Sequence, residues 1–183
     1  GFNLYRDNSL IPRETIKMAA LGALIERERS YDDLANEVRS FISRLVGPSL
    51  ELMGTSIELL KLEGLIETVD DKDKGDASLL QLSSAGLQEL KDYLRSNLKS
   101  GGSELNKLVI ALKLRFMDIL SEDERRDQLT AIRDMYHNEK RRLEDLKTQT
   151  TWLTGFLLES IELDLFAVNK RIEWCNRRIK TLK

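Results

Sequence analysis

The chain has 183 residues, with 29 Lys+Arg against 31 Asp+Glu, 41% hydrophobic residues and a formal net charge of −2. This length suits one large or two small domains with a buried core. No run approaches the roughly 18 apolar residues that a membrane-spanning helix needs, and the first residues lack the basic and apolar regions of a signal peptide. We therefore expect a cytoplasmic protein without a membrane partner.

The single cysteine, Cys175, and the single histidine, His137, exclude most catalytic and metal sites. One cysteine forms neither an internal disulfide nor a multi-cysteine metal site, and one histidine excludes every two-histidine site. Both residues fall in helical patterns, Cys175 as a small core residue and His137 as a surface residue. No glycine-rich phosphate loop is present, and the carboxylates lie in charge-rich helices. We expect no enzyme activity, no cofactor and no metal.

Apolar residues three or four apart predict three helices in the first third of the chain. Pro12 is favoured in a first helical turn, and Ser30 with Asp33 has the spacing of a capping box. Ser49 is a good N-cap for the third helix, which is predicted to end at Gly64. The first predicted helix runs from 12 to about 27, the second from 30 until Gly47 and Pro48 stop it, and the third over 50–63.

The pattern then changes to two short β segments, 65–69 and 79–82, joined by a polar, turn-rich stretch. We predict a small two-stranded hairpin, followed by a helix that Ser83 or Ser84 caps. Residues 100–103 (SGGS) have the composition of a linker. The sequence therefore predicts one domain over 10–100 and a second, purely helical domain over 101–183.

The second domain ends in the most regular apolar pattern of the chain. Its spacing alternates three and four, as in a coiled coil, over a helix about 45 Å long at ~1.5 Å per residue. The residues of this stripe are Leu158, Ile161, Leu165, Val168, Ile172, Cys175 and Ile179. Phe156, Leu163, Phe166 and Trp174 add apolar surface beside it. We infer an antiparallel helical arm that dimerises through this stripe; the alternative is a monomeric helical bundle.

Three segments occur in the order typical of one family of regulators. They are 18–24 (MAALGAL), 59–66 (LLKLEGLI) and 80–90 (LQLSSAGLQEL), which lie in the first helix, at the exit of the third helix and at the second wing strand. With Glu173–Cys175 near the end of the last helix, this set resembles the PadR family of bacterial transcriptional regulators. The order helix, helix, helix and two-stranded wing is that of a winged helix-turn-helix.

This resemblance implies a homodimeric DNA-binding repressor that binds double-stranded DNA. The third helix would lie in the major groove, and the wing would touch phosphates or the minor groove. A small-molecule effector is also implied, but the sequence does not identify one; Trp152 and Trp174 are candidates for lining its pocket or for packing in the core or dimer interface. The predicted DNA contacts are Ser49, Thr55, Ser56, Lys61, Lys72 and Lys74.

The distribution of charge departs from this expectation, since a DNA-reading domain is usually basic. Residues 1–100 carry 13 Lys+Arg against 17 Asp+Glu. Helical geometry directs Glu51, Gly54, Thr55 and Glu58 outward from the third helix, and two of these are carboxylates. The alternative is a winged-helix dimer that does not bind DNA and binds a protein partner through this acidic, partly apolar face.

Overall fold

The computed structural model describes residues 8–47, 57–69, 77–99, 101–149 and 151–182. Within these ranges the chain is mainly helical, with seven α-helices, one 3-10 turn and three short strands. In chain order they are α1 (Pro12–Glu26), β1 (Arg29–Ser30), α2 (Tyr31–Val46), α3 (Ile57–Leu62), β2 (Ile66–Thr68), β3 (Leu79–Leu82), α4 (Ser84–Leu94), α5 (Glu104–Phe116), the 3-10 turn Met117–Ile119, α6 (Glu122–Lys147) and α7 (Gly155–Thr181).

The elements from α1 to β3 have the order of a winged helix-turn-helix, which confirms the predicted fold class. The strands form one antiparallel sheet in the order β1-β3-β2, with Glu67 opposite Gln81 in the wing. The sequence predicted two strands, and the structure adds β1, which pairs Arg29 with Leu80. A strand of two residues is too short to show an alternating apolar pattern, so the sequence carried no signal for β1.

Helix caps show how closely local sequence follows local structure. Ser121 and Glu124 form the complete capping box, each side chain accepting a hydrogen bond from the other residue's backbone N–H. Ser83 caps α4 by accepting from the Gly86 N–H at 3.0 Å. The Ser30 box is formed on one side, because Ser30 accepts from the Asp33 N–H while the Asp33 carboxylate binds Arg27 at 3.0 Å.

The core of the first unit surrounds α1, which is buried over most of its length. Small residues allow close packing here, because Gly22 lies directly beneath the ring of Phe116 in α5. A Cβ at position 22 would come within 2.1 Å of that ring. Contacts accordingly divide the chain into one unit of residues 1–97 and 107–119 and another of residues 98–106 and 120–183. Most of α5 thus packs with the first unit, whereas the sequence analysis placed it after a boundary at residue 100.

Lys113 of α5 is fully buried, which is rare for a lysine. Its Nζ donates hydrogen bonds to the backbone oxygen of Leu94 at 2.8 Å and to that of Ser96 at 2.5 Å. These carbonyls lie at and just beyond the C-terminal end of α4, where the helix dipole favours a positive charge. Burial opposes that charge and lowers the pKa of Lys113 to about 7.

We expect Lys113 to make stability depend on pH. Its pKa is about 7 in the folded protein and 10.5 ordinarily, so between these values the unfolded chain binds more protons and stability rises with pH. The rise from pH 7 to 9 should be about 2 kcal/mol, the limit being ~1.4 kcal/mol per pH unit. Urea unfolding at several pH values checks this, with Lys113→Met losing the rise. Lys107→Met, at an exposed position of α5, should keep it.

The second unit is built on an antiparallel pair formed by α6 and α7. Three contacts fix its register: Arg126 donates to the Leu182 oxygen at 2.9 Å, Arg133 to Asn176 at 3.0 Å, and Lys147 pairs with Glu162 at 3.8 Å. A hydrophobic cluster formed by Leu143, Leu146, Leu153, Leu158, Ile161, Leu165 and Val168 lies near the connection between the helices. The predicted antiparallel helical arrangement is therefore formed within one chain.

The apolar stripe of α7 is covered within the chain. Ile161, Ile172 and Cys175 are buried, and Leu158, Leu165, Val168 and Ile179 are partly buried. Four of these seven residues belong to, or pack against, the cluster shared with α6. Their predicted contact with a second copy stays a prediction, and little of the three buried side chains is left exposed for it.

Among the described residues, no helix is long and apolar enough to cross a membrane.

Candidate nucleic-acid interface

Helix α3 presents a short mixed surface next to strand β2 of the wing. Ile57 and Leu60 are buried and anchor the helix, whereas Glu58 and Lys61 are exposed. Leu62 is 82% exposed, although leucine side chains are usually buried. The outward position of Glu58 agrees with the helical geometry predicted from sequence. The described part of α3 therefore offers one cation, one carboxylate and apolar surface.

Of the six predicted DNA contacts, the structure describes Lys61. Ser49, Thr55, Ser56, Lys72 and Lys74 lie outside the described residues, as do Glu51 and Gly54. The exposed position of Lys61 is compatible with a phosphate contact. The roles of all six residues stay predictions.

A nearby cation is already neutralised by the protein. The Lys17 Nζ of α1 lies 2.7 Å from the Glu63 carboxylate, directly after α3, and the Lys17 side chain is only 13% exposed. This pair links α1 to the end of α3 across 46 residues of sequence. No sequence pattern signals such a distant pair. The positive charge of Lys17 is therefore largely offset by Glu63 and contributes little to the electrostatic field at this surface.

The described base of the wing is polar and carries a carboxylate. The Gln81 Nε2 of β3 donates to the Glu67 carboxylate of β2 at 3.3 Å, so the two side chains share one face of the sheet. Leu79 at the start of β3 is 47% exposed. Cations that bind phosphate from the wing would have to come from its tip, where Lys72 and Lys74 occur in the sequence.

Arginines of the first unit form an ion cluster that supports the fold. Arg115 of α5 reaches Glu26 at 2.5 Å and Glu37 at 2.8 Å, and it lies over the rings of Phe41 and Phe116. The buried Arg29 donates to the Ala23 oxygen at 3.0 Å and lies within 4 Å of three carboxylates. These arginines are held by α1 and α2 and are poor candidates for phosphate contacts.

Two cations that the sequence analysis passed over are exposed on α2, the helix that precedes α3. Arg39 lies on its outer side, where its guanidinium is 3.5 Å from the Asn36 amide oxygen, and Arg44 lies in its last turn. Their signal in the sequence was their position outside the stripe of buried residues Leu34, Val38 and Ile42. Such positions are usually solvated, and they are candidates for DNA contact only because α2 is the helix that precedes α3 in the winged helix-turn-helix.

Cysteine and histidine, which are common in catalytic and metal sites, each occur once in this chain. Cys175 is fully buried, and burial raises the pKa of its thiol, which disfavours the reactive thiolate. His137 is partly exposed on α6. No group of three or more His, Cys, Asp or Glu residues suited to a metal ion occurs within the described ranges.

Helix α7 carries exposed aromatic and aliphatic side chains on the side opposite its buried stripe. Phe156 is 89% exposed, Leu163 is 70% and Phe166 is 63%, and we call these three residues the outer α7 face. Trp174 is half-buried on the same side by helical spacing. Trp152, just before the helix, is 66% exposed. Large exposed apolar residues in this density usually mark an interaction surface.

A family model of AphA-like transcriptional regulators matches residues 5–178, almost the whole chain. The chain belongs to the AphA-like family of transcriptional regulators. This assignment confirms the predicted winged-helix regulator of PadR type, and the family and fold are those of regulators rather than enzymes. No curated protein matches the chain in sequence.

Similar solved structures come from bacterial regulators at low sequence identity. PadR from Bacillus subtilis is 20% identical with a TM-score of 0.39, covering 95% of this chain and 98% of its own. The structure of the same protein with operator DNA is 19% identical with a TM-score of 0.36, and the match covers 92% of this chain and 99% of that one. A PadR-like regulator from Bacillus cereus is 13% identical with a TM-score of 0.38, and the match covers 91% of this chain and 97% of that one. The assignment of this AphA-like chain depends on the family model, since these TM-scores are low.

Proposed function

We propose that this AphA-like regulator binds double-stranded DNA as a homodimer and represses transcription. The winged helix-turn-helix order carries the proposal, because it places α3 at a surface next to the wing in a chain of a regulator family. In the proposed complex α3 lies in the major groove, and the wing contacts the backbone. The resemblance to the PadR family that the sequence motifs carry supports double-stranded DNA as the ligand and repression as the direction of regulation.

The charges of the described residues imply that binding depends on a few well-placed cations. Lys61 is exposed on α3, Arg39 and Arg44 are exposed on α2, and Glu58 and Glu67 are exposed close by in sequence. Carboxylates repel phosphate, although one can accept a hydrogen bond from a cytosine amino group in the major groove. A dimer doubles the number of cations that contact one DNA molecule. Binding should therefore be weak for one protomer and strongly dependent on salt for two.

The dimer in this proposal forms through the outer α7 face. Phe156, Leu163 and Phe166 are large apolar residues on the side of α7 away from α6, and burying them removes apolar area from water. The seven residues of the apolar stripe then support the dimer by holding α7 on α6. Their role in dimerisation is indirect unless a second copy also reaches their exposed edges.

We expect Lys61→Ala to weaken binding to DNA from the region upstream of the protein's own gene. The loss of one phosphate contact per protomer should lower the slope of log K against log[salt] by about two for the dimer. Mobility-shift titrations at several salt concentrations measure this. Lys107→Ala removes an exposed lysine of α5, outside the winged-helix elements, and should leave the slope unchanged.

The same titration tests the second candidate function, binding of a protein partner. The exposed Leu62 next to Glu58 and Lys61 favours this alternative, because an apolar group is of little use against phosphates. If a folded wild-type dimer gives no shift at low salt, where charges are least screened, DNA binding is contradicted. If Lys61→Ala leaves the slope of log K against log[salt] unchanged, Lys61 makes no phosphate contact, and the proposed position of α3 in the interface is contradicted.

A further inference from the structure

The described part of α3 has a defined outward side. Ile57 and Leu60 are buried, so the direction opposite to them faces solvent. At about 100° per residue, Leu62 lies within about 10° of this outward direction, and Glu58 lies about 50° to one side of it. Lys61 lies about 110° from the outward direction, on the flank of the helix. The described part of α3 therefore presents an apolar group and a carboxylate outward, with its cation at the edge.

This arrangement suits the edges of bases better than it suits phosphates. A carboxylate repels phosphates, and an apolar group forms no hydrogen bond with them. The floor of the major groove, in contrast, presents amino groups that donate hydrogen bonds and the methyl group of thymine. Phosphates line the walls of the groove, where a cation on the flank of a helix can contact them. The order of charge across α3 thus matches the groove from its floor to its walls.

We propose that α3 recognises two bases: the Glu58 carboxylate accepts a hydrogen bond from the amino group of a cytosine, and Leu62 contacts the methyl group of a thymine. Cytosine fits the carboxylate best because its edge offers a donor alone. Guanine offers only acceptors, and adenine places an acceptor beside its donor. This inference rests on the proposed binding of DNA and adds the bases that the site recognises.

The spacing of the two side chains limits the distance between the two bases. Glu58 and Leu62 are four residues apart, which is about 6 Å along the helix at ~1.5 Å per residue. Successive base pairs are about 3.4 Å apart along the DNA axis. The cytosine and the thymine are therefore expected one or two base pairs apart. Leu59, which is 38% exposed, borders this face on the side away from Glu58.

Selection of binding sites from a pool of random DNA duplexes tests the role of Glu58. The wild-type chain should enrich a cytosine at one position of the site. Glu58→Gln should enrich an adenine there, because a glutamine amide pairs with adenine through both its oxygen and its nitrogen. Titration of the two selected duplexes should give each protein a preference of about tenfold for its own base. Glu67→Gln removes another exposed carboxylate, at the base of the wing, and should keep the cytosine.

Replacement of thymine by uracil tests the role of Leu62, since it removes only the methyl group of the base. At the selected thymine this exchange should weaken binding of the wild-type chain about fourfold, the effect of exposing one buried apolar carbon. It should leave the affinity of Leu62→Ala unchanged. Glu58 and Leu62 are both exposed, so circular dichroism should show the wild-type fold in each variant.

The outcomes separate base recognition from the function on which it rests. If the wild-type chain binds no duplex of the pool at low salt, the proposed DNA binding fails and base recognition fails with it. Selective binding in which Glu58→Gln keeps the wild-type base would overturn the role of Glu58 and leave DNA binding intact. Equal affinity of the wild-type chain for the thymine and uracil duplexes would overturn the role of Leu62 in the same way. Binding without a preferred sequence would overturn both roles.

Discussion

Replacing Gly86 with alanine is expected to destabilise the first unit by about 3 kcal/mol, because α4 begins directly against the backbone of the wing. A Cβ at position 86 would lie 1.9 Å from the backbone oxygen of Leu65. That oxygen also accepts the Ser83 N–H at 3.1 Å, so it cannot move without breaking the contact. Overpacking typically costs ~1–3 kcal/mol, and we expect the upper end of this range because neither backbone segment can move away.

The surrounding hydrogen bonds explain why relaxation is costly. The Ser83 hydroxyl donates to the Gly64 oxygen at 2.5 Å and accepts from the Gly86 N–H at 3.0 Å. Shifting α4 away from Leu65 would strain both bonds and the N-cap with them. This junction gives a physical reason for the glycine in segment 80–90, which the sequence analysis noted only as part of a family pattern.

Thermal or urea unfolding measures the Gly86 effect. Gly102→Ala is the matched control, because a Cβ there meets only the Glu139 carboxylate at an ordinary 3.7 Å. We expect that variant to stay within about 0.5 kcal/mol of wild type. A Gly86→Ala protein as stable as the control would show that the α4–wing junction is looser than described.

Introducing aspartate on the two sides of α7 is expected to have opposite consequences. Ile172 is 7% exposed in the surface between α6 and α7, so Ile172→Asp buries an unpaired charge and should destabilise the helical pair by about 3 kcal/mol or more. Leu163 is 70% exposed on the outer α7 face. Leu163→Asp should leave the fold intact and convert the dimer to monomer.

Circular dichroism during heating measures folding, and light scattering measures mass. The two variants make the same chemical change and differ in the side of the helix they affect, so each is the control for the other. A folded monomer from Ile172→Asp together with an intact dimer from Leu163→Asp would contradict the outer-face proposal. That result would favour dimerisation through the apolar stripe, as the sequence analysis inferred.

Local signals in the sequence predicted most helix positions. Pro12 begins α1, Ser30 caps α2, and Ser83 caps α4, because each signal depends on residues within one turn. The third helix agrees over its described part, Ile57–Leu62. The predicted DNA contacts have no comparable local signal, because they follow from a resemblance to a family. Five of the six lie outside the described residues.

Periodicity and caps are interactions between neighbours in the chain, so they were sufficient to predict the helices, the wing and the order of a winged-helix regulator. The partner that each apolar or charged side chain meets became visible only in the folded protein. Folding placed the α7 stripe against α6, buried Lys113 against the end of α4, and joined Lys17 to Glu63 and Arg115 to Glu26. These contacts join distant residues, whose pairing depends on how the helices pack and leaves no local pattern.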